Sequence, residues 1–154
     1  MRTPIGIGVL SFAHGHVAAY AQVMRDFDDA RLVIGYDDNP ERGRAACQAA
    51  GMTYTAHPED VLAHPDVQAV VIGSETNRHE ELAVAAAQAG KHILLQKPMA
   101  FTLDACDNIM AAVGRAGIHF AMAFQMRHDP ANRYIRDTVQ RGVLGDTAVV
   151  RRRH

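Results

Sequence analysis

The sequence predicts an α/β protein built on a doubly wound parallel sheet, and three observations carry that expectation. Strand-like and helix-like stretches alternate about six times along the 154 residues. No two-residue hairpin turn interrupts them, so each strand returns through a helical crossover, which sets neighbouring strands parallel and covers both faces of the sheet. The chain also opens on a strand, a small-residue corner and a helix, where free backbone N–H groups and the helix dipole favour an anion.

Each element has its own local reason. Ile5, Ile7, Val9 and Leu10 read as a buried strand. Ser11, Ala13 and Gly15 make the corner, and Val17, Tyr20, Ala21 and Met24 recur on one face of a helix. Ala30 to Tyr36 is a second buried strand, closing on Asp37-Asp38. Asn39 suits a helix N-cap and Pro40 the first helical position, and Gly51 stops that helix. Met52 to Ala56 is a short third strand, and Pro58 to His64 supplies a turn or two of helix. Val67 to Gly73 is a fourth strand, β-branched and almost uninterrupted. The loop Ser74 to Asn77 leads into an alanine-rich helix, from about Arg78 to Ala89, ended by Gly90. His92 to Leu95 is a fifth strand, stopped by Gln96-Lys97-Pro98. Thr102 caps a helix whose Leu103, Cys106, Met110 and Val113 share a face, Gly117 ends it, and Ile118 to Phe124 is the sixth strand. Pro130 to Arg141 forms a last helix, Gly142 to Gly145 a turn, and Thr147 to Val150 begins another strand. The expected division is therefore a dinucleotide-binding domain over residues 1–125, then a linker helix and the first strand of a second, substrate-binding α/β domain over 126–154.

Composition excludes several classes of function. Hydrophobic residues make up 48% and charged residues 21%, ordinary for a globular chain long enough to bury a core. A net charge of −1 implies no general polyanion-binding surface, and the Arg151-Arg152-Arg153-His154 run reads as a solvated edge rather than a nucleic-acid patch. Cys47 and Cys106 lie in helical patterns with no metal-ligand spacing, as buried reduced thiols of a cytoplasmic protein would. No signal peptide precedes the first strand, and no apolar stretch reaches membrane-spanning length.

In an open parallel sheet, ligands bind outside the carboxyl ends of the strands. The candidates are Ser11 to His16, Asp37-Asp38, Ser74 to His79, Gln96-Lys97-Pro98 and Phe124 to Arg127. Asp37 stands about twenty residues past the corner, the spacing at which a carboxylate accepts from an adenosine ribose; a polar turn capping the next helix is the plainer reading, and Asp38 takes the role if the register slips by one. A carboxylate there repels a 2′-phosphate, so NAD is expected over NADP, although Arg42 and Arg44 on the next helix act against that preference. Lys97, held by the following proline at the mouth of the cleft, can orient a substrate hydroxyl and assist its proton transfer; without the surrounding pattern, a solvated lysine before a turn proline is the stronger reading. His14, His16 and His79 invite a metal, but two flank a corner where an imidazole can serve a phosphate, and no metal is assigned.

Taken together, the strand–corner–helix opening, Y-D-D-N-P-E-R, S-E-T-N-R-H, A-G-K-H-I-L-L-Q-K-P and R-G-V-L-G-D resemble the N-terminal half of the Gfo/Idh/MocA oxidoreductases, the group containing glucose–fructose oxidoreductase and inositol dehydrogenase. The resemblance covers essentially the whole chain. It implies that Ser11, Phe12, Ala13, His14 and His16 cradle a pyrophosphate and that Asp37 holds the adenosine ribose. It further implies that Ser74, Glu75, Asn77 and His79 line the cofactor's middle, with Gln96 and Lys97 beside the nicotinamide ribose and substrate.

Three departures stand out. Gln96 replaces the family's usual glutamate before Lys-Pro, losing the charge that would pair with Lys97. Ser11, Ala13 and His16 occupy the three glycine places of G-x-G-x-x-G. The catalytic Asp and His of the family's second domain lie beyond this sequence. The expected function is an NAD-dependent dehydrogenase of a sugar, cyclitol or related polyol, self-associating in solution, with these 154 residues inactive alone. An S-adenosylmethionine methyltransferase and a non-catalytic nucleotide-sensing module are the alternatives.

Overall fold

The computed structural model describes residues 3–146, Val149 and Arg151. Among them, β1 (Ile5–Leu10), β2 (Ala30–Tyr36), β3 (Thr53–Thr55), β4 (Ala69–Ile72), β5 (His92–Leu95) and β6 (Phe120–Met122) form one sheet. Its order is β3-β2-β1-β4-β5-β6. All five pairings are parallel, so the doubly wound sheet is as expected. The order reverses at β1, which lies between β2 and β4. The ends of these two strands therefore flank the corner after Leu10.

The helices are α1 (His16–Met24), α2 (Pro40–Ala50), α3 (Pro58–Ala63), α4 (His79–Gln88), α5 (Leu103–Ala116) and α6 (Pro130–Gln140). Their ends follow the sequence signals closely. The Asn39 side chain accepts from the N–H groups of Glu41 and Arg42, Thr102 accepts from Ala105, and Gly51 and Gly117 adopt left-handed C-caps. The sixth strand is shorter than its apolar run, and single 3₁₀ turns occupy Thr76–Arg78 and Gln125–Arg127.

Two hydrophobic clusters line the two sheet faces, as period-two alternation requires. Leu10, Val70, Ile72, Ile93 and Leu95 pack with Val61, Leu82, Ala86, Ile109 and Val113. Val9 and Val71 pack with Phe12, Val17, Ala21, Cys47 and Ala50.

The chain divides into two compact units, residues 1–123 and 124–154. Within the second, Asp129 caps α6 through the N–H of Asn132, and α6 buries none of its residues. The strand expected over Thr147 to Val150 lies outside the described residues, Val149 apart.

Candidate functional site

The corner after β1 is built without the glycines that usually make it. Ser11 has φ +73°, the one positive φ of a non-glycine among the described residues. A side chain there is strained, and the hydroxyl offsets the strain. Ser11 Oγ donates to Asp37 Oδ2 at 3.2 Å and accepts from the Ala13 N–H at 3.2 Å. The close backbone approach comes from another strand, because a Cβ on Gly73 would overlap Val17 and lie 2.9 Å from the Ser11 carbonyl. The His14 N–H then donates to the Gly73 carbonyl at 2.8 Å, tying the corner to the end of β4. α1 starts beyond it with Gly15 as N-cap, no side-chain cap, and open space where a Cβ would stand.

Asp37 is fully buried. Its carboxylate accepts from the Phe12 N–H at 2.6 Å, the Asn39 N–H at 2.8 Å and Arg42 Nη2 at 2.8 Å, besides the Ser11 hydroxyl. Burial alone pushes this carboxyl up, but the Arg42 hydrogen bonds and the N–H groups of Phe12 and Asn39 outweigh it and hold it below the usual carboxylate range. The expectation that Asp37 meets a ribose therefore encounters a group with no exposed surface and four protein partners. Phe12 differs likewise: its N–H is committed to Asp37, and its ring is buried against Gly35.

That carboxylate makes stability depend on acid. Because the folded protein prefers ionised Asp37, its contribution is complete above about pH 4, the value of an unfolded carboxylate, and is lost as pH falls through the lower folded value. Urea midpoints should hold down to about pH 4 and then drop, with a shallower drop in Asp37→Asn. Superimposable acid profiles would show that this carboxylate does not set the acid limit.

At the end of β5, Gln96 is buried and its amide orientation is fixed, since Oε1 accepts the Lys97 N–H at 2.9 Å. Its NH₂ then faces His14 Nδ1 at 3.1 Å, and Lys97 Nζ lies 3.4 Å from His14 Nε2. Desolvation first, then Lys97, His16 and His79, lower the His14 imidazole below its ordinary value. The ends of β1 and β5 thus meet on one imidazole, with the ring of His16 4.7 Å beyond it.

The loop after β4 is less uniform. Ser74 is buried, while Glu75 is exposed with an oxygen 3.9 Å from Arg42 Nη2. Asn77 is exposed beside Glu80, Glu81 and Gln88 along an outer groove of α4. His79, expected to line the cofactor, is buried as a strut: Nδ1 lies 2.9 Å from the Pro98 carbonyl and Nε2 3.1 Å from that of Ser74. Among the described residues, no three His, Cys, Asp or Glu side chains gather around a metal-sized space. Cys47 is a buried thiol pushed up to about 11 by desolvation and by the charge of Asp37.

Sequence reasoning held Arg78 only as part of the Ser74 to His79 stretch and missed Tyr36 and the pairing with Asp38. The Arg78 guanidinium donates to the Tyr36 hydroxyl at 3.2 Å and to Asp38 Oδ2 at 3.1 Å. Forty residues separate Arg78 from Asp38, so no local spacing signals the pair. Arg42 was readable, lying one turn inside a helix that begins beside both aspartates.

Comparison with known proteins identifies this frame. A family described as an oxidoreductase family with an NAD-binding Rossmann fold, GFO_IDH_MocA, matches residues 5–124. The chain belongs to that family. Among its relatives, the chain is 28% identical over 148 residues to a myo-inositol 2-dehydrogenase of Thermotoga maritima, covering 96% of this chain and 42% of that protein. It is 36% identical over 124 residues to inositol 2-dehydrogenase 1 of Saccharopolyspora erythraea, covering 79% of this chain and 37% of that one. The chain thus spans about two fifths of the length of these relatives. Its fold also matches the WlbA dehydrogenase from Bordetella pertussis, solved with NADH and UDP-GlcNAcA, at a TM-score of 0.84 and 26% identity over 92% of this chain and 43% of that one. In this Gfo/Idh/MocA chain the parallel sheet is the family's Rossmann fold, and the resemblance read from Y-D-D-N-P-E-R and Q-K-P holds over the sheet they flank.

Proposed function

We propose that this chain is the dinucleotide-binding half of an NAD-dependent dehydrogenase that moves a hydride between the cofactor and a carbinol carbon of a sugar, cyclitol or related polyol. One observation carries the reading: Lys97, the charged group at the end of β5, is brought to the corner after β1, its Nζ 3.4 Å from His14 Nε2. The family resemblance sets Gln96 and Lys97 beside the nicotinamide ribose, and an ammonium there can orient a reacting hydroxyl. The inositol dehydrogenases among its relatives, and a WlbA structure holding NADH, support the cofactor and substrate class.

The residues present fit a dinucleotide. Gly15 leaves room at the uncapped start of α1, so a pyrophosphate can approach the helix N-terminus closely, with His14 and His16 alongside. Ser74 and Glu75 flank the middle of the cleft, and Gln96 and Lys97 its far end. NAD, when bound, supplies the hydride acceptor or donor. Lys97 would hydrogen-bond the substrate oxygen and assist transfer of the hydroxyl proton to solvent or a neighbouring base as the carbinol carbon gives up its hydride. Ser11 and Asp37 act one step back, by fixing the backbone of the corner. The same reading makes the protein cytoplasmic and self-associating, with a small polyol rather than nucleic acid or a membrane as its partner. No helix among the described residues is long and apolar enough to cross a membrane.

Calorimetric titration of the chain tests this directly. NAD should bind, NADP should bind more weakly, and S-adenosylmethionine should give no heat. Binding of S-adenosylmethionine alone, or of no nucleotide at all, would overturn the reading.

A further inference from the structure

The neighbours of His14 fix which of its two ring nitrogens carries the proton. Gln96 is 1% exposed, and its Oε1 is taken by the Lys97 N–H at 2.9 Å. The atom 3.1 Å from His14 Nδ1 is therefore the amide nitrogen Nε2, which donates and does not accept. The backbone N–H of His16 also donates to Nδ1, at 3.3 Å. With two donors on Nδ1, the proton of the neutral ring sits on Nε2. The neutral form is the favoured one, because burial, then Lys97, His16 and His79, lower this imidazole below its ordinary value. The titratable groups acting on the ring are Lys97, His16, whose ring lies 4.7 Å away, and the buried His79, and none is a carboxylate.

His14 Nε2 faces Lys97 Nζ at 3.4 Å. A lysine ammonium has three N–H donors and no acceptor, so this contact sets donor beside donor. Both side chains are half-buried and open to the cleft edge of the sheet. Two N–H donors at that separation converge on a position that one oxygen can share. Residue 96 decides whether they do. A glutamate there would offer Nδ1 only an acceptor, draw the ring proton to that side and leave Nε2 bare. The lysine would then close on the imidazole, and the shared oxygen would lose a donor.

We infer that His14 Nε2–H and Lys97 Nζ form a two-donor site for the reacting oxygen of the substrate, with Gln96 as the positioning residue that holds His14 in its donating tautomer. The hydroxyl proton leaves to solvent or a neighbouring base, the carbinol carbon gives its hydride to NAD, and a C=O bond forms. Through that step the two donors hold the negative charge that builds on the oxygen. The inference rests on the dehydrogenase reading above, and the experiment separates the two.

Heteronuclear NMR of the imidazole nitrogens reads the tautomer in the 154-residue chain, at about pH 8, where an imidazole is neutral. His14 should carry its proton on Nε2, and Gln96→Glu should move it to Nδ1. Thermal melts check that each variant is folded. In a protein carrying the full catalytic site, His14→Ala should lower kcat by about 10²–10³, the scale of removing one donor from a developing oxyanion. Gln96→Glu should lower kcat as well, and NAD affinity of His14→Ala, read by calorimetry, should stay nearly unchanged. A proton on Nδ1 in the unmodified chain, or one that stays on Nε2 in Gln96→Glu, overturns the inference, and the dehydrogenase reading survives if NAD binds. Normal kcat with weakened NAD binding in His14→Ala also overturns it, because the imidazole would then serve the pyrophosphate. If the unmodified chain binds no nucleotide, both fall together.

Discussion

Lys97→Ala should lower kcat by about 10²–10⁴ in a protein carrying the full catalytic site, while leaving NAD affinity nearly intact. The asymmetry follows from where the lysine stands. Its ammonium neighbours His14 at the corner, and it follows β5, three places along the sheet from β2, which ends at Asp37 and Asp38, where the adenosine is proposed to sit. Its help is therefore realised as the hydroxyl proton is lost, in the transition state more than in cofactor binding. Steady-state rates across pH, paired with calorimetry of NAD, give both numbers from the same preparation. Normal turnover by Lys97→Ala over the whole pH range would make the lysine a bystander and remove the chemical centre of the proposed function.

Asp37→Ala should cost about 3 kcal/mol of folding stability, at the lower end for breaking a buried charge pair. The substitution removes an acceptor from two backbone N–H groups, those of Phe12 and Asn39, and from the Ser11 hydroxyl. Buried donors left without a partner cost about 1–3 kcal/mol each. Arg42 moderates the loss, because its side chain is 35% exposed and can turn to water. For a domain of this size, that loss lowers Tm by about 6–12 °C. Differential scanning calorimetry of the unmodified chain beside Asp37→Ala reads it directly. An unchanged Tm would mean that the corner holds its shape without the carboxylate, and that Ser11 keeps its left-handed backbone for another reason.

Much of the site was legible because it lies where local signals end. Strand ends are marked by a change from apolar to polar residues, so Ser11, Asp37, Ser74 and Gln96 could be placed at one edge of the sheet from the residue pattern alone. The caps were equally plain, since Asn39-Pro40, Gly51, Thr102 and Gly117 each answer a requirement set within one helical turn. The sixth strand was overdrawn for a related reason. An apolar run reports burial, and only pairing with β5 decides how many of its residues join the ladder.

By itself, then, the sequence determined the order of strands and helices, the parallel sheet and the set of residues at its carboxyl edge. Periodicity, capping and crossover length are properties of neighbouring residues, so they are already present in the chain before it folds. Tertiary structure decided which members of that set are buried and which stay exposed. Asp37 and Asp38 are adjacent, and consecutive side chains at a strand end point in opposite directions, so one had to turn inward; the hydrogen bond from the Phe12 N–H at 2.6 Å shows that it is Asp37. The conversion of His79 from lining to strut, and the arrival of Arg78 beside Asp38, were likewise settled by distant segments. Crossovers bring residues far apart in sequence to the same strand ends, and the hydrogen bonds they form there leave no trace in local spacing.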